Sequence, residues 1–229
     1  MVTNILIFCG GFGTRFNNGK PGKLKPLIKI NKKEILIHIF ELFKNEKVNF
    51  YLLGGYKFNE LKKFTKKLNK KNIFVIDTGI GTPTGGRLLS AKKYISNTNF
   101  VLTYGDSLAN FNLKKSLKLK NKKNFIINIH KSKFNYGTVK IKNGLIKNFK
   151  EKKIINFINA GFYVLDTEIF SYIKSKQESF EDDILPRIIK SGKKEIKANF
   201  VTKWQPIDDI YDKLKVETIL KKNNSFFKN

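Results

Sequence analysis

Residues 3–8, 49–53, 72–76 and 100–104 are short apolar runs, and each gives way within three residues to glycine. Apolar runs of this length, bounded by turn signals, read as buried strands. Between them, residues 35–43 are apolar at helical spacing, and Leu61, Phe64 and Leu68 mark a Lys-rich amphipathic helix. Residues 85–94 read as a further helix. Strands alternating with helices predict a parallel sheet covered on its faces. The expected fold is α/β, a Rossmann-like mixed, mostly parallel sheet flanked by helices.

Beyond about residue 123 the texture changes. Strands are expected at 125–129, 138–141 and 145–149, with Lys142-Asn143-Gly144 as a hairpin turn. A strand at 162–165 follows, then helices at 167–173 and 183–191, a strand near 196–200 and a helix over about 210–222. No long linker or internal repeat interrupts the chain, and 229 residues suit one large domain. The expected organisation is one domain over 1–222, with a nucleotide-binding half (1–122) and an acceptor-binding half (123–222). The polar tail 223–229 is expected to fray.

The formal net charge of +28 raises a nucleic-acid partner as a competing function class. Of the 46 basic residues, however, 43 are Lys and 3 are Arg. Base readout and bidentate phosphate contacts favour Arg. The Lys residues are also spread along the whole chain, as a bias toward AT-rich codons would spread them. The composition therefore argues against a nucleic-acid partner, while still favouring anionic ligands. Cys9 is the single cysteine and can form no internal disulfide. No apolar run reaches the ~18 residues that span a bilayer, and no basic leader opens the chain. A soluble cytoplasmic protein with no membrane partner is expected.

Ligands of open α/β sheets bind beyond the carboxyl ends of the strands. The first such loop is Gly10-Gly11-Phe12-Gly13-Thr14-Arg15, followed by Lys25-Pro26. It is neither the dinucleotide fingerprint nor a Walker A loop. Its glycines would let backbone N–H groups approach a phosphate, and Arg15 and Lys25 would neutralise it. The second loop, residues 77–87, ends in Thr84-Gly85-Gly86-Arg87 and offers small residues, backbone groups and Arg87 to a flat base; Thr84 could equally be an ordinary helix N-cap. The third, Thr103-Tyr104-Gly105-Asp106, sets an acid just past a strand end, and Trp204-Gln205-Pro206-Ile207-Asp208 supplies a second. Two acids with a phosphate loop suggest metal-assisted phosphoryl or nucleotidyl transfer. His38 and His130 read as structural, as does Arg187 on a helix.

Together these motifs resemble the sugar-phosphate nucleotidyltransferase superfamily, and within it the glucose-1-phosphate cytidylyltransferases. The Gly10–Arg15 loop with Lys25-Pro26 matches the superfamily signature. Thr84-Gly85-Gly86-Arg87-Leu88 and Thr103-Tyr104-Gly105-Asp106 match the cytidylyl branch, and Glu151-Lys152, Asn159-Ala160-Gly161-Phe162 and Trp204–Asp208 complete the order. The resemblance implies a cytidylyltransferase that couples CTP to a phosphorylated small molecule and releases pyrophosphate. It implies that Phe8, Cys9, Gly10, Gly11, Phe12, Gly13, Thr14 and Arg15 hold the nucleotide, with Lys25 on the triphosphate. Thr82, Arg87, Gly105 and Asp106 would complete the nucleotide site. Asp106 and Asp208 would bind Mg²⁺; Glu151, Lys152 and Asn159 would meet the acceptor. Arg15, Lys25, Asp106, Lys152 and Asp208 would be the catalytic set. The family also implies a homo-oligomer.

Two departures bear on the acceptor. The family carries a longer segment where residues 66–72 connect helix to strand here, and Lys153-Ile154-Ile155-Asn156 replaces the usual Pro-Lys-Gly stretch. Glucose 1-phosphate and a smaller phosphorylated amino acid or alcohol are both open as acceptors.

Overall fold

Side chains alternate across a strand, so a run that is apolar at every position must be covered on both faces. In β1 (Thr3–Phe8), Ile5 and Ile7 enter one core while Leu6 and Phe8 enter the other. Val101 divides in the same way from Phe100 and Leu102, and Phe162 and Val164 from Tyr163 and Leu165. The computed structural model, which describes residues 2–17, 19–96, 99–133, 137–151 and 155–228, places these runs in one sheet.

The further strands are β2 (Lys29–Ile30), β3 (Lys33–Glu34), β4 (Val48–Gly54), β5 (Ile73–Asp77), β6 (Phe100–Tyr104), β7 (Ser107–Ala109), β8 (Asn124–Lys133), β9 (Thr138–Lys142), β10 (Leu145–Lys150), β11 (Ile155–Leu165), β12 (Glu195–Val201) and β13 (Trp204–Pro206). The helices are α1 (Ile35–Leu42), α2 (Phe58–Leu68), α3 (Thr84–Ser90), α4 (Leu113–Leu119), α5 (Leu185–Ser191) and α6 (Ile210–Lys222). The main sheet has the order β12-β8-β11-β6-β1-β4-β5. Only β11 runs against its neighbours; β1 pairs parallel with β4 and β6, β4 with β5, and β12 with β8. The fold is thus the mixed, mostly parallel α/β sheet expected, and it draws strands from both halves of the chain. Among the described residues no helix is long and apolar enough to cross a membrane.

Several expectations are corrected. The expected strand 125–129 is the first half of the longer β8, and 162–165 is the C-terminal end of the longer β11. The helix expected from residue 183 opens with a π-turn over Phe180–Ile184. The short strands β2, β3, β7 and β13 and the helix α4 add to the expected elements. Within the described residues the tail is docked where fraying was expected: Phe227 is 2% exposed within the core, and Lys228 pairs with Glu41 at 2.9 Å. Two adjacent aromatic rings bury enough apolar surface to dock a segment whose other residues are polar. Residues 142–144 do turn the β9–β10 hairpin, with Asn143 (φ 51) and Gly144 (φ 74) both left-handed, as a tight hairpin turn requires.

Two carboxylates tie these outer elements down. Burial alone would raise Glu41, but hydrogen bonds from Lys33 at 2.6 Å and from Lys228 outweigh it and draw it down to about 2. Hydrogen bonds from Arg187 bring Glu178 to about 2 as well. A depressed carboxylate contributes stability above the unfolded Glu value and loses it as pH falls through the folded value. The thermal midpoint should therefore hold above about pH 4.5 and fall progressively toward pH 2. Glu178→Gln should flatten part of that decline in a pH series of melting curves. An unchanged profile in Glu178→Gln would count against the Arg187 pair as a stabilising contact.

Candidate active site

Four loops converge at the carboxyl ends of β1, β4, β5 and β6. Gly13 takes φ 63, and Asn17 fastens the loop by donating to Gly13 O at 2.9 Å and accepting from Lys23 N at 3.2 Å. A short 3-10 turn over Lys25–Leu27 then lays Pro26 against Gly105, where an added Cβ would lie 2.6 Å from Pro26 Cγ and 3.0 Å from Phe8 O. Only glycine permits that approach. The result is a cavity of about 330 Å³. Every residue expected to hold the nucleotide lines it: residues 8–15, Lys25, Thr82, Arg87, Gly105 and Asp106.

The two acids come from positions about a hundred residues apart, and a small ladder joins them. β7 pairs antiparallel with β13, placing Ser107 opposite Pro206. Ile207 N–H donates to Asp106 O at 2.8 Å. Asp208 is then held by its own N–H on Asp212 at 2.9 Å, while Asp209 caps α6. Lys25 Nζ donates to Asp106 Oδ2 at 3.0 Å and to Asp208 Oδ1 at 2.7 Å; Arg15 reaches the other Asp208 oxygen at 2.7 Å. The Lys25 side chain is 9% exposed and Arg15 is 74% exposed, so one cation is built into the wall and the other reaches Asp208 from the solvent side. Within this cluster two positive charges balance two negative ones.

Cys9 lies beneath the glycine loop, 1% exposed. Burial pushes its thiol up, Asp106 adds to the effect and Arg87 opposes it. It is a neutral packing residue and not an activated nucleophile.

Arg87 is 4% exposed and faces inward. Its guanidinium donates to Gly10 O at 2.9 Å, Gly54 O at 2.9 Å, Gly79 O at 3.3 Å and the Thr78 hydroxyl at 2.5 Å. It thus ties the loops after β1, β4 and β5 together, and its donors are directed at these main-chain and Thr78 oxygens. The rest of the motif packs as well. A Cβ at Gly85 would sit 2.6 Å from Glu178 O, and one at Gly86 would strike Lys176 O. Thr84 is the first residue of α3 and not its N-cap, which is Pro83. Its hydroxyl donates to Glu181 at 2.7 Å and accepts from Phe180 N–H at 2.8 Å. The Thr-Gly-Gly-Arg stretch therefore docks the nucleotide-side loops onto residues 176–181.

Glu151 and Asn159 do not line this cavity. Glu151 is exposed beyond β10. Asn159 accepts from Gly161 N–H at 2.9 Å and donates to the Tyr163 hydroxyl. Lys152 lies outside the described residues. His38 binds Ile30 O at 3.0 Å and His130 binds Val201 O at 3.1 Å, each away from the cavity. Thr78 and Tyr104 carry no role readable from the sequence; the second stands inside the Thr103–Asp106 motif and lines the cavity.

A family model described as nucleotidyl transferase matches residues 4–221. The chain is 32% identical to a probable glucose-1-phosphate cytidylyltransferase of Bacillus subtilis, covering 97% of this chain and 98% of that protein. It is 33% identical to a D-glycero-alpha-D-manno-heptose 1-phosphate guanylyltransferase of Campylobacter jejuni, covering 77% of this chain and 82% of that one. Among solved structures, HddC from Yersinia pseudotuberculosis, complexed with GMP-PN, superposes with a TM-score of 0.74 at 24% identity, covering 96% of this chain and all of that one. A glycine-loop cavity with paired acids at its mouth, and a family match over nearly the whole chain, lead to one conclusion: the chain belongs to the nucleotidyl transferase family, among the sugar-phosphate nucleotidyltransferases, and is an enzyme of that class.

Proposed function

We propose that the chain is a cytidylyltransferase that joins CTP to a phosphorylated small molecule, giving a CDP-activated product and pyrophosphate. The observation that carries this reading is the meeting of Arg15, Lys25, Asp106 and Asp208 at the mouth of the glycine-loop cavity. An acceptor phosphate oxygen attacks the α-phosphorus of CTP in line. The new P–O bond forms as the bond to the bridging oxygen of pyrophosphate breaks. The nucleophile is already anionic, so no side-chain base or covalent intermediate is needed. The work lies in bringing two anions together and offsetting their charge. Backbone N–H groups of the glycine loop take the phosphates, Lys25 the triphosphate, and exposed Arg15 closes on it. Glu151, Lys152 and Asn159 serve the acceptor side.

A divalent cation fits the same mouth. Asp106 and Asp208 already bring one oxygen each within 3.0 Å of a single cationic nitrogen. Mg²⁺ takes one or two carboxylates together with phosphate oxygens. Asp106 and Asp208 would hold it, and when bound it would offset charge on the phosphates. Lys25 and Arg15 are then free to turn from the carboxylates to the triphosphate.

The test is pyrophosphate release from CTP, UTP, dTTP, ATP and GTP, each with glucose 1-phosphate, phosphoserine and phosphocholine. CTP should exceed every other nucleotide in kcat/KM by roughly tenfold or more, since a wrong base leaves polar groups of the site unpaired at about 1–3 kcal/mol each. Equal values for CTP and GTP would overturn the cytidylyl assignment, and the guanylyltransferase relative makes GTP the sharpest competitor.

A further inference from the structure

β4 ends in Gly54-Gly55, and a tight turn follows at once. Phe58 N–H donates to Gly55 O at 3.0 Å, and Lys57 takes φ 52. Gly55 must be glycine, since a Cβ there would lie 2.4 Å from the Arg87 guanidinium and 2.5 Å from Gly79 O. The turn sets Tyr56 against the glycine loop at three places. Its N–H donates to Gly10 O at 3.2 Å, its ring packs on Phe12 at 5.2 Å between centroids, and its hydroxyl donates to Gly22 O at 3.1 Å. Gly10 and Gly22 lie on opposite legs of the loop, before and after the Gly13-Thr14-Arg15 turn. Tyr56 grips both legs, yet it does not line the cavity.

The loop has little means of holding its own shape. Gly10, Gly11 and Gly13 carry no side chain to pack, and glycine gives up more conformational freedom on ordering than any other residue. Inside the loop one amide does the fastening. Asn17 donates to Gly13 O at 2.9 Å and to Lys23 O at 3.3 Å, and accepts from Lys23 N–H at 3.2 Å. A Cβ on Gly22 would lie 2.3 Å from Asn17 Cγ, so Gly22 rests against that amide while its carbonyl meets Tyr56. Asn17 thus closes the two legs on each other, and Tyr56 fixes the closed pair to the end of β4. Arg87 reaches the first leg, at Gly10 O. The return leg leads into Lys25, whose Cγ is 3.1 Å from where a Gly13 Cβ would stand.

We propose that Tyr56 is a positioning residue for the nucleotide triphosphate: it holds the glycine loop in its phosphate-binding shape without touching the ligand, and Asn17 assists it. This rests on the nucleotidyltransfer reading above, which gives the N–H groups of the loop to the phosphates. The effect is one of population. A loop that loses a tie spends part of its time with those N–H groups turned apart, and apparent affinity falls by the fraction of time lost. Local opening of such a loop exposes little core, so it occurs well below the global unfolding transition and leaves the melting midpoint almost unmoved.

The experiment is calorimetric titration of the parent, Tyr56→Phe and Asn17→Ala with CTP and with CMP, Mg²⁺ present and no acceptor. Tyr56→Phe keeps the ring and the main-chain N–H and removes only the hydroxyl. It should weaken CTP by roughly fivefold, the size expected of one hydrogen bond, and CMP by less than about twofold. Asn17→Ala should show the same preference for harming CTP. The double variant should fall short of the product of the singles, because both residues hold the same leg. Amide exchange over residues 10–17 should quicken in Tyr56→Phe and return to the parent rate on saturation with CTP. Parent-like CTP affinity in Tyr56→Phe would overturn the assignment. Equal losses for CTP and CMP with a lowered melting midpoint would overturn it too, since they mark a general loosening of the cavity. A parent that binds another triphosphate in place of CTP sinks the cytidylyl assignment alone, and that triphosphate and its monophosphate then decide the role of Tyr56 by the same comparison. A parent that binds no nucleotide would overturn the proposed function, and this inference with it.

Discussion

Asp106→Asn and Asp208→Asn should each lower turnover by about two orders of magnitude or more, the size of effect seen when one charge-stabilising group is removed from a site of this kind. Each carboxylate holds Lys25, and Asp208 also holds Arg15. Either substitution therefore removes a cation ligand and unbalances the charges that receive the triphosphate. Folding should survive, because the remaining carboxylate still pairs with the buried ammonium. The double variant leaves Lys25 with neither partner. Removing the whole counter-charge of a buried cation costs about 3–5 kcal/mol, so the double variant should melt well below the sum expected from the singles. Chelation of divalent cations should silence the parent without shifting the melt of the ligand-free protein. Full activity in excess chelator would overturn the metal assignment. Melting of each single variant at the double variant's temperature would overturn the shared-counter-charge account.

Much of this site could be read along the chain, because its parts are local. Glycine at the end of an apolar run marks a strand end, and strand ends are where an open α/β sheet binds ligands. β1, β4, β5 and β6 were therefore legible, with residues 8–15, Lys25 and Asp106 beside them. The ladder that brings Asp208 to Asp106 was not. β7 and β13 are three residues each, too short for periodicity to register, and their partners are about a hundred positions apart. α4 was also missed, although Asn112 caps it by accepting from Lys115 N–H at 2.9 Å. That signal was available, but seven residues beginning Leu-Lys-Lys carry little apolar pattern. Thr84-Gly85-Gly86-Arg87 was recognised as a motif, but its packing against residues 176–181 was not, since a glycine's neighbours appear only once the chain has folded.

That packing gives Arg87 a different expected behaviour from Arg15, although both stand in glycine-rich loops. Arg87→Ala removes a buried guanidinium that binds main-chain oxygens of three loops. Burial pulls its pKa below the ordinary value, yet Arg remains charged, so each of these is a charge-assisted bond. Bonds of that kind contribute about 1.5–3 kcal/mol each. Tyr56 N–H still reaches Gly10 O and Thr78 N–H still reaches Gly54 O, which offsets part of the loss. A net destabilisation of about 3 kcal/mol is expected, and at about 2–4 °C per kcal/mol for a chain of this size the midpoint should fall by roughly 6–12 °C. Nucleotide affinity should fall with it, because the loops that shape the cavity lose their common tie. Arg87→Lys should recover little. One ammonium cannot span Gly10 O and Gly54 O in the fixed fork of a guanidinium. Arg15→Ala should do the reverse: its side chain is 74% exposed, so the midpoint should move by less than about 1 kcal/mol would move it, while turnover falls. Differential scanning fluorimetry and nucleotide titration on the same three variants separate the two roles. A wild-type midpoint in Arg87→Ala, with nucleotide affinity alone reduced, would mean that Arg87 turns outward to the base, and the tie between the loops would have to come from elsewhere.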